Sequence, residues 1–147
     1  MKIAIGADHA GFSLKERLRL KLAGDGHQIV DFGTESEKSC DYPDFAQFVA
    51  RDVAQGRSDR GILVCSTGIG MAMAANKVTG VRAAVVTDVF TARATRAHND
   101  ANVMTVGERV IGTGVAEEAL RVFRDTAFEG GRHALRVAKV DALDRAR

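Results

Sequence analysis

Gly61-Ile62-Leu63-Val64-Cys65-Ser66-Thr67-Gly68-Ile69-Gly70 is the stretch whose reading decides the fold. Ile62, Leu63 and Val64 are apolar at consecutive positions, as in a strand buried on both faces, and such strands belong to parallel sheets covered by helices. The strand ends at Cys65. Ser66 to Gly70 form a small glycine-bearing turn, and Met71 to Lys77 follow with the Ala and Met content of a tightly packed helix, Met71 and Met73 reading as packing residues.

The same alternation extends in both directions. Upstream, Lys2 to Ala7 reads as a strand, and Phe12 to Leu22 as a helix with Leu14, Leu18 and Leu22 on one face. His27 to Phe32 reads as a second strand and Gly33 to Pro43 as a polar loop, while Phe45, Phe48, Val49 and Val53 mark one face of the next helix. Downstream, Val81 to Val86 is a continuous apolar strand and Val89 to Ala97 a helix closing at His98-Asn99. Val103 to Val106 is a fifth strand, Gly114 to Phe128 a long helix, and Arg132 to Arg147 a basic segment. The expected fold class is α/β, with a parallel sheet, helices on both faces and right-handed crossovers. In such sheets ligands sit beyond the carboxyl ends of the strands, where strand order reverses. That directs attention to Asp8-His9, Cys65 to Gly70, Thr87-Asp88 and Gly107 to Arg109.

Composition agrees. The 147 residues suit one domain, 46% hydrophobic and 27% charged, with a formal charge of +2. That balance does not suggest a nucleic-acid binder. No apolar run approaches the eighteen or so residues of a membrane span, and Met1-Lys2 leads straight into a strand rather than a signal peptide, so a cytoplasmic protein is expected. Cys40 and Cys65 are isolated and read as free thiols.

Cys65 closes a buried strand just before a helix start, where backbone N–H groups favour the ionised form of a thiol and could hold an oxyanion formed during proton abstraction. The alternative is an inert core thiol beside a tight turn. Asp8 could accept hydrogen bonds from sugar hydroxyls or act as a helix N-cap, and His9 could face a phosphate. His98 could be a general acid or a structural histidine, and Asn99 a helix cap. Arg132 and Arg136, four residues apart, would share a helix face and grip phosphate oxygens, or simply form a solvated basic face. Arg109 is either an anion contact or a partner of Glu108 or another acid.

Gly6-Ala-Asp-His-Ala-Gly11, Asp41-Tyr42-Pro43, Cys65 to Gly70, Ala74-Ala75-Asn76-Lys77, His98-Asn99-Asp100 and Gly130-Gly131-Arg132-His133, in that order, resemble the ribose-5-phosphate isomerase B family. That family includes the galactose-6-phosphate isomerase subunits of the lactose pathway, and the match spans nearly the whole chain. The resemblance implies a single Rossmann-like domain over residues 1–147 with a five-stranded sheet. It further implies a homodimer with shared active sites, a basic helix at about 131–145 packing on the partner, and pairing of dimers into tetramers left open. It implies Cys65 as the base forming a cis-enediolate, Thr67 and His98 assisting ring opening, and backbone near Gly68 and Gly70 steadying the enediolate oxygens. Asp8, Tyr42 and Asn99 would position hydroxyls, and His9, Arg109, Arg132 and Arg136 the phosphate, with His133 a secondary candidate. No metal or cofactor is implied. Ser66 departs from the Gly common in cysteine-type members, which bears on substrate preference rather than reaction type.

Three functions follow as expectations. The first is interconversion of ribose 5-phosphate and ribulose 5-phosphate. The second is the same chemistry on allose 6-phosphate, galactose 6-phosphate or a tetrose 4-phosphate. The third is a non-catalytic sugar-phosphate-binding module, which would need the arginines but not the thiol.

Overall fold

The computed structural model describes residues 1–144, so the last residues of the basic segment, including the end of the helix expected at about 131–145, lie outside the described part. Five strands, β1 (Lys2–Ala7), β2 (Gln28–Asp31), β3 (Arg60–Cys65), β4 (Ala83–Val85) and β5 (Val103–Gly107), form one sheet in the order β2-β1-β3-β5-β4. Every pairing is parallel, as the apolar strands require. Strand order reverses between β1 and β3, which places the carboxyl end of β3, and with it Cys65, at the switch point.

The helices are α1 (Phe12–Gly24), α2 (Tyr42–Ala54), α3 (Ile69–Ala75), α4 (Val89–Ala97), α5 (Thr113–Asp125) and α6 (Arg132–Leu143), with a short 3-10 turn at His9–Gly11. Alternation along β3 sends Ile62 and Val64 to one face, against Leu14, Leu18 and Leu22 of α1 and Ala119, Leu120 and Phe123 of α5. Leu63 and Cys65 point to the other, against Val49 and Val53 of α2 and Met71 of α3. Burial of these two apolar faces is the main favourable term of folding.

Four expectations need correction. Phe48 is not on the buried face of α2: it is exposed and stacks on Phe32 with ring centroids 6.2 Å apart. Ala46, Val49, Ala50 and Val53 face the sheet instead, and Val49 seats deeply because Gly6 and Gly61 beneath it carry no Cβ. Met71 is fully buried but Met73 is exposed, because residues two apart on a helix lie about 200° apart and only one of them can face the sheet. β4 is a three-residue, half-buried edge strand rather than a continuous buried one, since it has a neighbour on one side only. α5 ends at Asp125 rather than continuing to Phe128, Thr126 taking extended geometry.

One buried group had no signal in the apolar pattern. Lys15 is 1% exposed, and its Nζ donates to both oxygens of Asp31 at 3.0 and 2.8 Å, tying α1 to the end of β2. A charge so buried is tolerable only with such a partner.

Candidate active site

The residues after β3 are set by close backbone packing. Gly68 adopts φ +79°, a left-handed conformation that favours glycine, and a Cβ there would lie 3.0 Å from Val106. A Cβ on Gly107 would lie 2.6 Å from the backbone of Thr67, and one on Gly11 2.5 Å from Val64. Glu108 N–H donates to Cys65 O at 2.9 Å and Arg109 N–H to Ser66 O at 3.1 Å. The ends of β1, β3 and β5 are thereby drawn together.

Within this end, Cys65 is buried and its Sγ accepts the Gly68 amide at 3.1 Å. Thr67 is exposed and its Oγ1 accepts the Ile69 amide. Tyr42 opens α2, and its ring lies directly over Gly70, where a Cβ would meet it at 2.9 Å. Asp8 is an N-cap, Oδ1 accepting the Ala10 amide at 2.9 Å, while its Oδ2 has no partner among the described residues. His9 Nδ1 lies 3.2 Å from both the backbone N and O of Cys40, which fixes the loop after β2 over the end of β1. Arg109 is exposed and makes no ion pair with Glu108, whose Oε2 instead accepts the Leu14 amide at 2.9 Å and caps α1.

His98, Asn99, Arg132 and Arg136 are elsewhere. His98 caps the carboxyl end of α4, five residues before β5 begins, and Val103 of β5 pairs with Gly61 while Gly107 pairs with Cys65. These residues therefore lie at the amino end of the strands, the length of the sheet away from the thiol, roughly 15 Å. The thiol and the histidine expected to assist it do not meet within one copy of the chain.

The second cluster has its own construction. Gly130 and Gly131 both take positive φ and turn the chain into α6, which lies across the end of α4 so that His133 stacks on His98, with centroids 4.4 Å apart and planes at 9°. Burial first, then His98 and Arg132, hold the His133 pKa below its ordinary value. A cleft of about 640 Å³ runs between α6 and β4, lined by His98, Asn99, His133, Arg136 and Arg82 among others. It does not reach Cys65. Arg132 and Arg136 are exposed and form no ion pair among the described residues.

Asp100 entered the sequence reading only within the His98-Asn99-Asp100 motif, and neither it nor Arg82 nor Arg96 was given a role. Arg96, 3% exposed, donates to Asp100 at 2.7 Å, and Arg82 bridges Asp100 and Asp141 at 2.9 Å each. This network holds Asp100 at φ +45° just after His98-Asn99 and ties α6 down through Asp141. The signal available was the i, i+4 spacing of Arg96 and Asp100 at a helix end. Among the described residues no helix is long and apolar enough to cross a membrane.

Comparison with known proteins agrees with this architecture. Ribose-5-phosphate isomerase B of Escherichia coli K12 is 42% identical over 146 residues, covering 99% of this chain and 98% of that protein. The structure of ribose-5-phosphate isomerase B from Clostridium thermocellum superposes with a TM-score of 0.98 at 46% identity, covering 99% of each chain. That of ribose-5-phosphate isomerase B from Mycoplasma genitalium with bound ribulose 5-phosphate gives a TM-score of 0.95 at 38% identity, covering 99% of this chain and 97% of the other. The sequence profile described as Ribose/Galactose Isomerase matches residues 3–140, and the chain belongs to that family.

Proposed function

We propose that this chain interconverts ribose 5-phosphate and ribulose 5-phosphate through a cis-enediolate, with Cys65 as the base. The observation that carries the reading is the buried Cys65 sulfur at the switch point of the sheet, accepting the Gly68 amide at 3.1 Å. That amide is a hydrogen-bond donor fixed at the sulfur, and the thiolate is the form of a cysteine that abstracts a proton.

In the forward direction the C2–H bond of the open-chain aldose breaks and its proton passes to the sulfur. The bonding pair forms the C1–C2 double bond, and the carbonyl pair moves to O1. The sulfur returns the proton to C1, the O2 proton passes to O1, and the carbonyl re-forms at C2. Atoms and electrons balance without an external oxidant or hydride carrier. Thr67 and His98 open the sugar ring, Asp8, Tyr42 and Asn99 position hydroxyls, and His9, Arg109, Arg132 and Arg136 hold the phosphate. Backbone groups near Gly68 and Gly70 stabilise negative charge on the enediolate, a contribution that matters because it grows only as the charge develops.

Because the thiol end and the imidazole–guanidinium end lie on opposite sides of the sheet, the complete site takes one half from each of two copies. Two features support a homodimer built this way. Leu135, Val140 and Leu143 of α6 are 71%, 55% and 65% exposed, an apolar face left open on a helix that carries half a site. Closed two-fold pairing would also form two such sites at once. The same reading treats residues 1–147 as one catalytic unit acting in the cytoplasm.

Purified protein offered ribose, allose, galactose and erythrose phosphates in the presence of chelator tests this directly. The expected result is ketose formation preferentially from ribose 5-phosphate, falling at least about 10³-fold in Cys65→Ala. Preference for another sugar would change the substrate and keep the mechanism, whereas normal turnover by Cys65→Ala would remove the proposed base.

A further inference from the structure

Glu129, in the segment between α5 and α6, meets both stacked imidazoles. Its Oε2 lies 3.9 Å from His98 Nε2 and 3.6 Å from His133 Nε2, and one ligand atom from each of the three residues falls within 4.8 Å of the others. Both Nε2 atoms of the stacked rings thus face the same carboxylate oxygen. His133 is 7% exposed and its Nε2 has no hydrogen-bond partner, since Glu129 at 3.6 Å is beyond that range. A buried ring nitrogen aimed at a carboxylate it does not reach is a polar group awaiting a partner.

We propose that His98, Glu129 and His133 form a binding site for a divalent transition-metal ion of the zinc type. Ligand bonds of about 2.0–2.2 Å in tetrahedral array separate the ligand atoms by about 3.3–3.6 Å, so the two Glu129 pairs, at 3.9 and 3.6 Å, need close by only a few tenths of an ångström, while the two imidazole nitrogens, within 4.8 Å of one another, close by up to about 1.5 Å. His98 and Glu129 have side chains 46% and 58% exposed and are free to make that adjustment. Two imidazoles and one carboxylate suit zinc, cobalt or nickel rather than magnesium or calcium, which demand oxygen ligands. Arg132 and Arg136 nearby sharpen that choice, because a dication held beside two guanidinium groups must draw its affinity from nitrogen ligation. Occupancy takes His98 away from the sugar and blocks turnover; this consequence, unlike the site itself, rests on the function proposed above.

The test is calorimetric titration of the chelator-stripped full chain with Zn²⁺, in a Cys40→Ser/Cys65→Ser background so that thiolates do not compete. The expected result is one Zn²⁺ per chain, with binding at least about tenfold weaker once Glu129→Gln is added. Co²⁺ in the same background gives the strong visible bands of four-coordination. No binding in the cysteine-free background, or equal affinity with and without Glu129→Gln, would overturn the site. In the chain with its cysteines, Zn²⁺ inhibits turnover, chelator restores it, and Glu129→Gln retains basal turnover while resisting the inhibition. If Zn²⁺ binds as expected and turnover is untouched, the metal site stands and the role given to His98 in turnover falls.

Discussion

The two ends of the sheet are built by different means. The thiol end is held by backbone: glycines at 11, 68 and 107 let three strand ends approach within contact distance, and the chemistry-bearing groups hang on that rigid frame. The imidazole–guanidinium end is held by side chains, through the Arg96–Asp100–Arg82–Asp141 ion pairs and the His98–His133 stack, and it leaves two arginines and an apolar helix face open. On the function proposed above, the rigid end orients the base and the open cationic end receives the anion, and in that reading neither end is a complete site by itself.

That contrast can be broken or sharpened by substitution. After Cys65→Ala, the largest effect is expected at His98: His98→Asn should lower turnover by roughly 10²-fold with the fold intact, measured by steady-state kinetics and circular dichroism. Gly107→Ala forces a Cβ to within 2.6 Å of the Thr67 backbone and should cost about 2 kcal/mol of stability in denaturant melts. The same substitution at Gly112, where a Cβ meets nothing within 4 Å, should be near neutral. Equal melts for the two would contradict the tight backbone frame of the thiol end.

On the proposed function Arg136→Ala removes a phosphate contact but nothing that holds the fold, so KM should rise about tenfold with kcat changed much less. A fall in kcat with KM unchanged would argue against a binding role. The smallest effect belongs to neither end. On α1, the hydrogen bond from Arg19, and then that from Lys15, hold the Glu16 pKa down to about 2, below its ordinary 4.5. A depressed carboxylate contributes stability above pH 4.5 that is lost as pH falls through 2. Glu16→Gln should therefore flatten the acid limb of a stability profile by under about 1 kcal/mol, discounted because the carboxylate is partly solvated, and leave turnover unchanged.

The frame was legible in the sequence because buried strands write themselves as apolar runs: Ile62 to Val64 and Ile3 to Ile5 needed no partner information to be read. The edge strand β4 and the outward turn of Phe48 and Met73 were not legible, since edge position and helix phase depend on which neighbours are present. Cys65, Thr67 and the glycines could be found because one short motif holds them all. His98, Arg132 and Arg136 could be named from the motifs that resemble the family, yet their distance from the thiol follows only from the direction in which α4 runs back along the sheet. Lys15 and the Arg82–Asp100–Asp141 network escaped because a buried charge reads as a surface charge until its partner is located.

The central claim, that a working site joins the thiol end of one copy to the His98 end of another, is tested most directly by mixing two inactive variants. Cys65→Ala and His98→Asn chains, co-expressed with different tags, form mixed pairs in which one of the two sites carries both intact groups. Random pairing predicts recovery of about a quarter of the wild-type rate, all of it in material carrying both tags. Mixed pairs that form and stay inactive would contradict the account and place the whole site within one chain.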